Sequence, residues 1–316
     1  NQYQEFIADY LESQYETKEP KNLYDPIHYI LGLGGKRMRP VLTLMSAEVF
    51  DADYKKALPA ALAVEVFHNF SLIHDDIMDD APLRRGNETV HEKWDINTGI
   101  LSGDAMLILA YQYFEKYEPA VFRDLAKLFS KTALEVCEGQ QLDMNFEGYE
   151  TVAEADYIEM IRLKTAVLLG LALQLGALLA GASKEDIDRI YAFGVNIGVG
   201  FQLQDDLLDV YADQAKFGKQ VGGDIISNKK TFLLLKALEL ANGKEREELQ
   251  RWLGLKEFDK TQKVAAVKAI YENLGIRSLT EQKMQTYFEE GFKQLEGLQI
   301  TNETYSQALL AVTQEL

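Results

Sequence analysis

Apolar residues in this chain recur at i, i+3 and i+4 from end to end, and the strict alternation of a half-buried strand is almost absent. That periodicity restricts the fold to layers of α-helices. Six prolines punctuate it, at positions 20, 26, 40, 59, 82 and 119. Pro40 and Pro59 suit the first turn of a helix, and Pro82 a position just past a helix end. The spacing predicts helices over 2–18, 40–50, 59–80, 98–116, 119–145, 154–181, 184–211, 228–241, 245–254, 259–272, 274–296 and 302–315. Glycine-bearing or basic stretches at 32–39, 82–90 and 212–228 read as loops. With no low-complexity linker and no short repeat, residues 1–316 read as a single large helical domain.

Charge and cysteine content narrow the classes of function. The net charge of −17 argues against a nucleic-acid partner, because a phosphate backbone needs excess Lys and Arg. An anionic ligand would need metal ions or a local basic cluster to offset this background. Cys137 is the only cysteine, so neither an intrachain disulfide nor a cysteine metal cluster is available, which fits a reducing cytoplasm. Residues 1–10 are polar and acidic, unlike a signal peptide. The segment 166–182 is apolar except for Gln174. It is short for a membrane span and lacks aromatic anchors, so it reads as a buried core helix.

Two carboxylate clusters stand out. Asp75, Asp76 and Asp79 form D-D-x-x-D, followed by Asp80, and Asp205, Asp206 and Asp209 repeat the pattern. On a helix, Asp75 and Asp79 share a face, as do Asp205 and Asp209. Like charges at that spacing repel, and each cluster sits toward a helix C-terminus, where the dipole disfavours anions. A cation resolves both conflicts. Carboxylates without His or Cys point to Mg²⁺ shared with substrate phosphates. Each cluster also follows an apolar run, as the rim of a cavity would, whereas a solvated acidic face would not.

The cationic residues lie in loops or at helix ends. Gly34-Gly35-Lys36-Arg37-Met38-Arg39-Pro40 places Lys36 and Arg39 at a helix N-terminus, where free N–H groups and the dipole attract anions. Arg84 and Arg85 follow the first carboxylate cluster directly. Lys164-Thr165 opens the long apolar stretch, and there a lysine either snorkels or binds an anion. Lys219 lies in a glycine-bearing loop after the second cluster, with Lys229 beyond it. His68 lies about two turns before Asp75, where a lone histidine reads first as a satisfied core residue.

Taken together, these motifs resemble the trans-isoprenyl (polyprenyl) diphosphate synthase family. G-G-K-x-x-R-P, D-D-x-x-D with L-R-R-G, K-T, G-x-x-F-Q-x-x-D-D-x-x-D and G-K-x-x-G-G-D occur in the family's order between Gly34 and about Lys230. The resemblance implies an all-α fold, a single bundle of antiparallel helices around a deep central cavity, usually as a homodimer. It implies Mg²⁺, three ions with substrate bound, held by Asp75 and Asp79 from one wall and by Asp205, supported by Asp209, from the other. Arg84, Lys164 and Lys219 would hold the allylic diphosphate (dimethylallyl, geranyl or farnesyl). Lys36, Arg39, His68 and Arg85 would hold isopentenyl diphosphate. Thr165 and Gln202 would face the developing cation, and Lys229 would help close a loop over the site.

Product length turns on the residues one turn, about 5.4 Å, before Asp75. These are Phe70 and Ser71, one bulky and one small. That pattern resembles some twenty-carbon synthases and implies geranylgeranyl diphosphate, with farnesyl or longer products as alternatives if the floor lies near Phe67 or Val64. A terpene cyclase shares the helical fold and a D-D-x-x-D but would have no use for the Lys36/Arg39 site. A non-catalytic synthase subunit would be expected to lose a carboxylate cluster. An acidic helical scaffold would leave both clusters and the cationic loops as coincidence.

Overall fold

A computed structural model describes residues 2–14, 17–212, 221–300 and 303–314. Among these residues the chain is helical almost throughout. The helices are α1 (Gln2–Ser13), α2 (Lys21–Gly32), α3 (Met38–Val49), α4 (Leu58–Met78), α5 (Val90–Lys93), α6 (Ile96–Phe114), α7 (Pro119–Glu147), α8 (Glu154–Ile161), α9 (Val167–Leu179), α10 (Lys184–Tyr211), α11 (Gly223–Ile226), α12 (Phe232–Leu240), α13 (Gly243–Gly254), α14 (Lys260–Asn273), α15 (Ile276–Glu296) and α16 (Glu303–Gln314). A 3₁₀ turn occupies Tyr54–Ala57, and a π-helical turn, Arg162–Ala166, joins α8 to α9.

The chain divides into two compact units. One comprises Asn1–Lys131, Leu171–Tyr191 and Leu298–Glu315, and the other Thr132–Gly170, Ala192–Gly297 and Leu316. In the first unit α4 is the central element. Ten of its residues from Leu58 to Phe67 include only one that is not buried, Pro59, and it packs on α3 and α6. Helix α3 is equally enclosed, and Ser46 donates to the Leu173 carbonyl at 2.6 Å. In the second unit two buried clusters meet along α10. Leu203 belongs with Phe146, Tyr157, Met160 and Phe232, and Leu207, one turn on, belongs with Leu233, Leu249, Val267 and Ile270.

Several sequence expectations need correction. The first helix ends at Ser13, short of 18, and a further helix, α2, runs through 21–32. Pro26 sits inside α2, where its missing N–H weakens the helical reading, yet it is buried and tolerated. The stretch 82–90 is more ordered than a loop. Leu83–Arg84 pairs antiparallel with Asn87–Glu88, and Arg85 (φ 54°) and Gly86 (φ 78°) make the turn. Two left-handed residues in a two-residue hairpin match the strand twist. The helix expected over 154–181 is interrupted by the π turn at Arg162–Ala166. By length and composition Glu154–Leu179 could cross a membrane, but its most apolar window is 78% buried in protein, as a core helix is.

Candidate active site

In the first unit the functional side chains gather on the C-terminal half of α4, the loop before α3 and the 83–88 hairpin. Asp75 and Asp76 occupy the last turn of α4, and Asp79 is its C-cap, with the Asp79 N–H donating to the Asp75 carbonyl at 2.9 Å. Asp75 is half-buried and Asp79 exposed, whereas Asp76 is buried. Asp76 has its own partner. Arg84 Nε and Nη2 donate to its two carboxylate oxygens at 2.7 Å each, the bidentate fork that fits a carboxylate best. The same guanidinium lies 4.0 Å from Asp75. Arg84 therefore neutralises the inner carboxylate and stands beside Asp75.

Arg85 turns the other way, and its Nη1 donates to the Gly34 carbonyl. Gly35 (φ 129°) makes this possible, since a Cβ there would stand 2.8 Å from the guanidinium carbon. The hairpin thus fixes Arg84 against α4 and Arg85 against the loop bearing Gly34 and Lys36, which leads to Arg39 in the first turn of α3. Lys36 is exposed, and Arg37 adopts φ 49° at the N-cap of α3. Arg39 Nη1 lies 3.2 Å from His68 Nε2. A guanidinium only donates, so Nε2 must accept, and the imidazole carries its proton on Nδ1. Burial, then the charges of Arg39, Arg85 and Arg84, hold the His68 pKa well below its ordinary value. Glu65 is buried one turn before His68, with its carboxylate taking the Asn69 amide at 3.1 Å. Burial raises its pKa, against the pull of Asn69, Arg39, Arg37 and Arg85. It is a counter-charge to the arginine group that the sequence pattern did not single out.

One turn or more back along α4, Phe70 is buried, and Ser71 donates to the His68 carbonyl at 2.7 Å. Phe70 packs on Phe67 and His74, with ring centroids 5.4 and 4.8 Å away. Phe67 packs in turn on Phe129 at 5.1 Å, and Phe129 on Phe114 and Tyr111. Phe70 is the first ring of an aromatic stack that continues away from Asp75.

The second unit carries the other carboxylates. Asp205 is exposed, Asp209 half-buried and Asp206 buried. The Tyr157 hydroxyl donates to Asp206 Oδ2, and Gln202 Nε2 lies 3.5 Å from Oδ1. Burial pushes the Asp206 carboxyl up to about 7, against the pull of Tyr157 and Lys229. Asp209 accepts the Gly222 N–H on its carbonyl at 2.6 Å and the Asp224 N–H on Oδ2 at 3.0 Å, which fixes the chain beyond the loop. Lys229 Nζ stands 3.9 Å from Asp224. Burial opposes its charge, but Asp224, Asp206, Asp143 and Asp209 raise its pKa.

Lys164 lies in the π turn, and its Nζ donates to Asp143 on α7 at 2.7 Å, with Thr165 half-buried beside it. The turn and α7 approach closely at Gly139, where a Cβ would stand 2.2 Å from the Lys164 amide nitrogen. Asp143, like Glu65, is a charged partner that lies outside every motif, whereas Asp76 and Asp224 lie within motifs that gave no sign of their pairing with Arg84 and Lys229. Lys219 lies outside the described residues.

The family model for polyprenyl synthetase matches residues 20–274. A geranylgeranyl pyrophosphate synthase of Geoglobus acetivorans is 41% identical over 74% of this chain and 73% of its own length. A geranylfarnesyl diphosphate synthase of Natronomonas pharaonis is 38% identical over 74% of each chain. A crystal structure of a geranylgeranyl pyrophosphate synthase superposes with a TM-score of 0.94 at 49% identity, covering 99% of this chain and 98% of the other. With its all-α fold and ordered motifs, the chain belongs to the polyprenyl synthetase family and is a trans-prenyltransferase.

Proposed function

We propose that the chain, acting as one synthase domain over 1–316, condenses isopentenyl diphosphate head to tail with allylic diphosphates and releases diphosphate. The observation that carries this reading is the arginine group around a neutral histidine. Arg39, Arg84 and Arg85 all bear on His68, which keeps an N–H on Nδ1 for an anion. A cyclase acting on one diphosphate has no need of this second cationic site beside the one at Asp75.

Carboxylate oxygens at Asp75, Asp79, Asp205 and Asp209 suit a hard divalent ion shared with phosphate, and Mg²⁺ is the ion we propose, three of them with substrate bound. When bound, it would stabilise charge on the departing diphosphate. Arg84, Lys164 and Lys219 would bind the same leaving group, and Lys36, Arg39, His68 and Arg85 the isopentenyl diphosphate. Preorganised cations aimed where charge develops are the main catalytic resource. Thr165 and Gln202 would offer oxygens to the allylic cation, and Lys229 would secure the loop over the site. Departing diphosphate would take the final proton.

The product we propose is geranylgeranyl diphosphate. Phe70 backed by Phe67 supports a floor at that depth, and two relatives of that name point the same way. The geranylfarnesyl synthase relative keeps a longer product as the second reading. Exposed Leu101 and Ile108, on one face of α6, support a homodimer, and the lone Cys137 supports a cytoplasmic setting. The test is product analysis with Mg²⁺, labelled isopentenyl diphosphate and each of dimethylallyl, geranyl and farnesyl diphosphate in turn. A ladder ending at the twenty-carbon product is expected. Folded protein that incorporates no label from any starter would overturn the proposal.

A further inference from the structure

The Arg84–Arg85 hairpin begins just after Asp80 and ends just before α5, which carries His91 and Glu92. Across the base of that hairpin, one ligand atom from each of Asp80, His91 and Glu92 lies within 4.8 Å of the others. Among the described residues this is the one place where three such groups converge.

Three acidic or basic groups near a surface do not make a site. The second observation is His91 itself. Its side chain is only 4% exposed, and neither ring nitrogen has a hydrogen-bond partner in the protein. Buried polar groups are nearly always paired. The ring nevertheless points at the cluster, with Nε2 3.9 Å from Glu92 Oε1. The nearby cation Lys93 is engaged elsewhere, over the Tyr29 and Trp94 rings at 5.0 and 5.6 Å. Asp80 holds φ 49°, a left-handed conformation that is uncommon for any residue with a side chain.

We propose that Asp80, His91 and Glu92 form a divalent transition-metal site, separate from the substrate's ions, that clips the base of the arginine hairpin. An imidazole nitrogen with two carboxylates favours Zn²⁺ or a similar ion over Mg²⁺, which prefers oxygen alone. Donors about 2.1 Å from Zn²⁺ stand about 3.4 Å apart when tetrahedral. The observed spacing therefore needs to close by about 1.5 Å or less, and Asp80 and Glu92 are exposed and can rotate. A fourth position stays open to solvent. The ion would tie the end of α4 to α5 and hold Arg84 and Arg85 between them, whatever the enzyme's product.

The test uses the full chain, stripped of metal and then held in excess Mg²⁺ to fill the oxygen-only clusters. Zn²⁺ alone is titrated, and X-ray absorption reads the bound ion. One equivalent with an imidazole in its first shell is expected. Asp80→Asn/Glu92→Gln and His91→Gln should each weaken binding by at least about the 10- to 100-fold that loss of a supporting partner costs at such sites. Zn²⁺ should also slow tryptic cleavage after Arg84 and Arg85 in the wild type but not in the double variant. If His91→Gln does not fold, the double variant, altered only at exposed side chains, decides. No tight Zn²⁺, an oxygen-only ion, or binding unchanged in the folded double variant would overturn the proposal.

Discussion

Arg84 and Asp76 share two parallel hydrogen bonds of 2.7 Å, and only the Arg84 side is open to solvent. The middle carboxylate of the first cluster thus anchors a cation, a role distinct from the one proposed for Asp75 and Asp79. Asp76→Ala should leave Arg84 unfixed and lower kcat/KM by about 10²-fold, the cost of a misplaced charged group. Steady-state kinetics over a Mg²⁺ titration will check this. Unchanged kcat/KM would remove Asp76 from the positioning machinery.

His68 makes a pH prediction. Its pKa is depressed in the folded protein, so below about 6.5 the unfolded chain binds a proton that the folded protein does not. The stability this group contributes is present above that pH and is lost as pH falls toward the depressed folded value, by up to about 1.4 kcal/mol per unit. His68→Gln keeps an acceptor for Arg39 and removes the titration. Urea unfolding from pH 7 down to 5.5 should therefore show a shallower loss in the variant than in the wild type. Equal slopes would mean that His68 titrates alike in the folded and unfolded chains, with no depression of its pKa by the fold.

Phe70→Ala should lengthen the product by at least one isoprene unit, by chromatography of the dephosphorylated alcohols. Phe67→Ala combined with it should lengthen it further, because Phe129 then becomes the next ring below. Unchanged length in Phe70→Ala would show that the ring is ordinary core.

Gly139→Ala should destabilise the second unit by about 1–3 kcal/mol or more, since its Cβ would collide with the Lys164 backbone, which a rotamer change cannot relieve. Asp143→Asn tests the neighbouring ion pair without that collision. It should fold normally and weaken allylic diphosphate binding, read as a raised KM. A thermal melt of Gly139→Ala that matches wild type would contradict the close approach.

Helix α10 runs Lys184–Tyr211, the span its periodicity predicts, and both carboxylate clusters lie in the final turns of their helices as expected. Those features follow from local pattern alone. The hairpin did not, because it needs Arg85 in a left-handed conformation that sequence gives no reason to expect. Helix α2 was hidden by Pro26, whose cost is offset by burial against neighbours that local propensity does not see. The motif residues were legible as types, but their partners were not. Asp76 was visible while its hold on Arg84 was not, and Asp143 lies on a helix with no motif, reaching Lys164 only through tertiary packing.

The π turn at Arg162–Ala166 carries one residue more than an α turn would, and each residue advances a helix by about 100°. Lys164 sits inside that extra loop of backbone. Five residues of a π turn sweep about the same angle as four of an α-helix, so the extra residue is absorbed and the helices on either side stay in phase. Removing one of the five would therefore restore a regular helix with the apolar face of α9 still in register. What would be lost is the local bulge that carries Lys164 to Asp143 and sets its backbone against Gly139. The length of this segment serves the lysine, and the core can do without it.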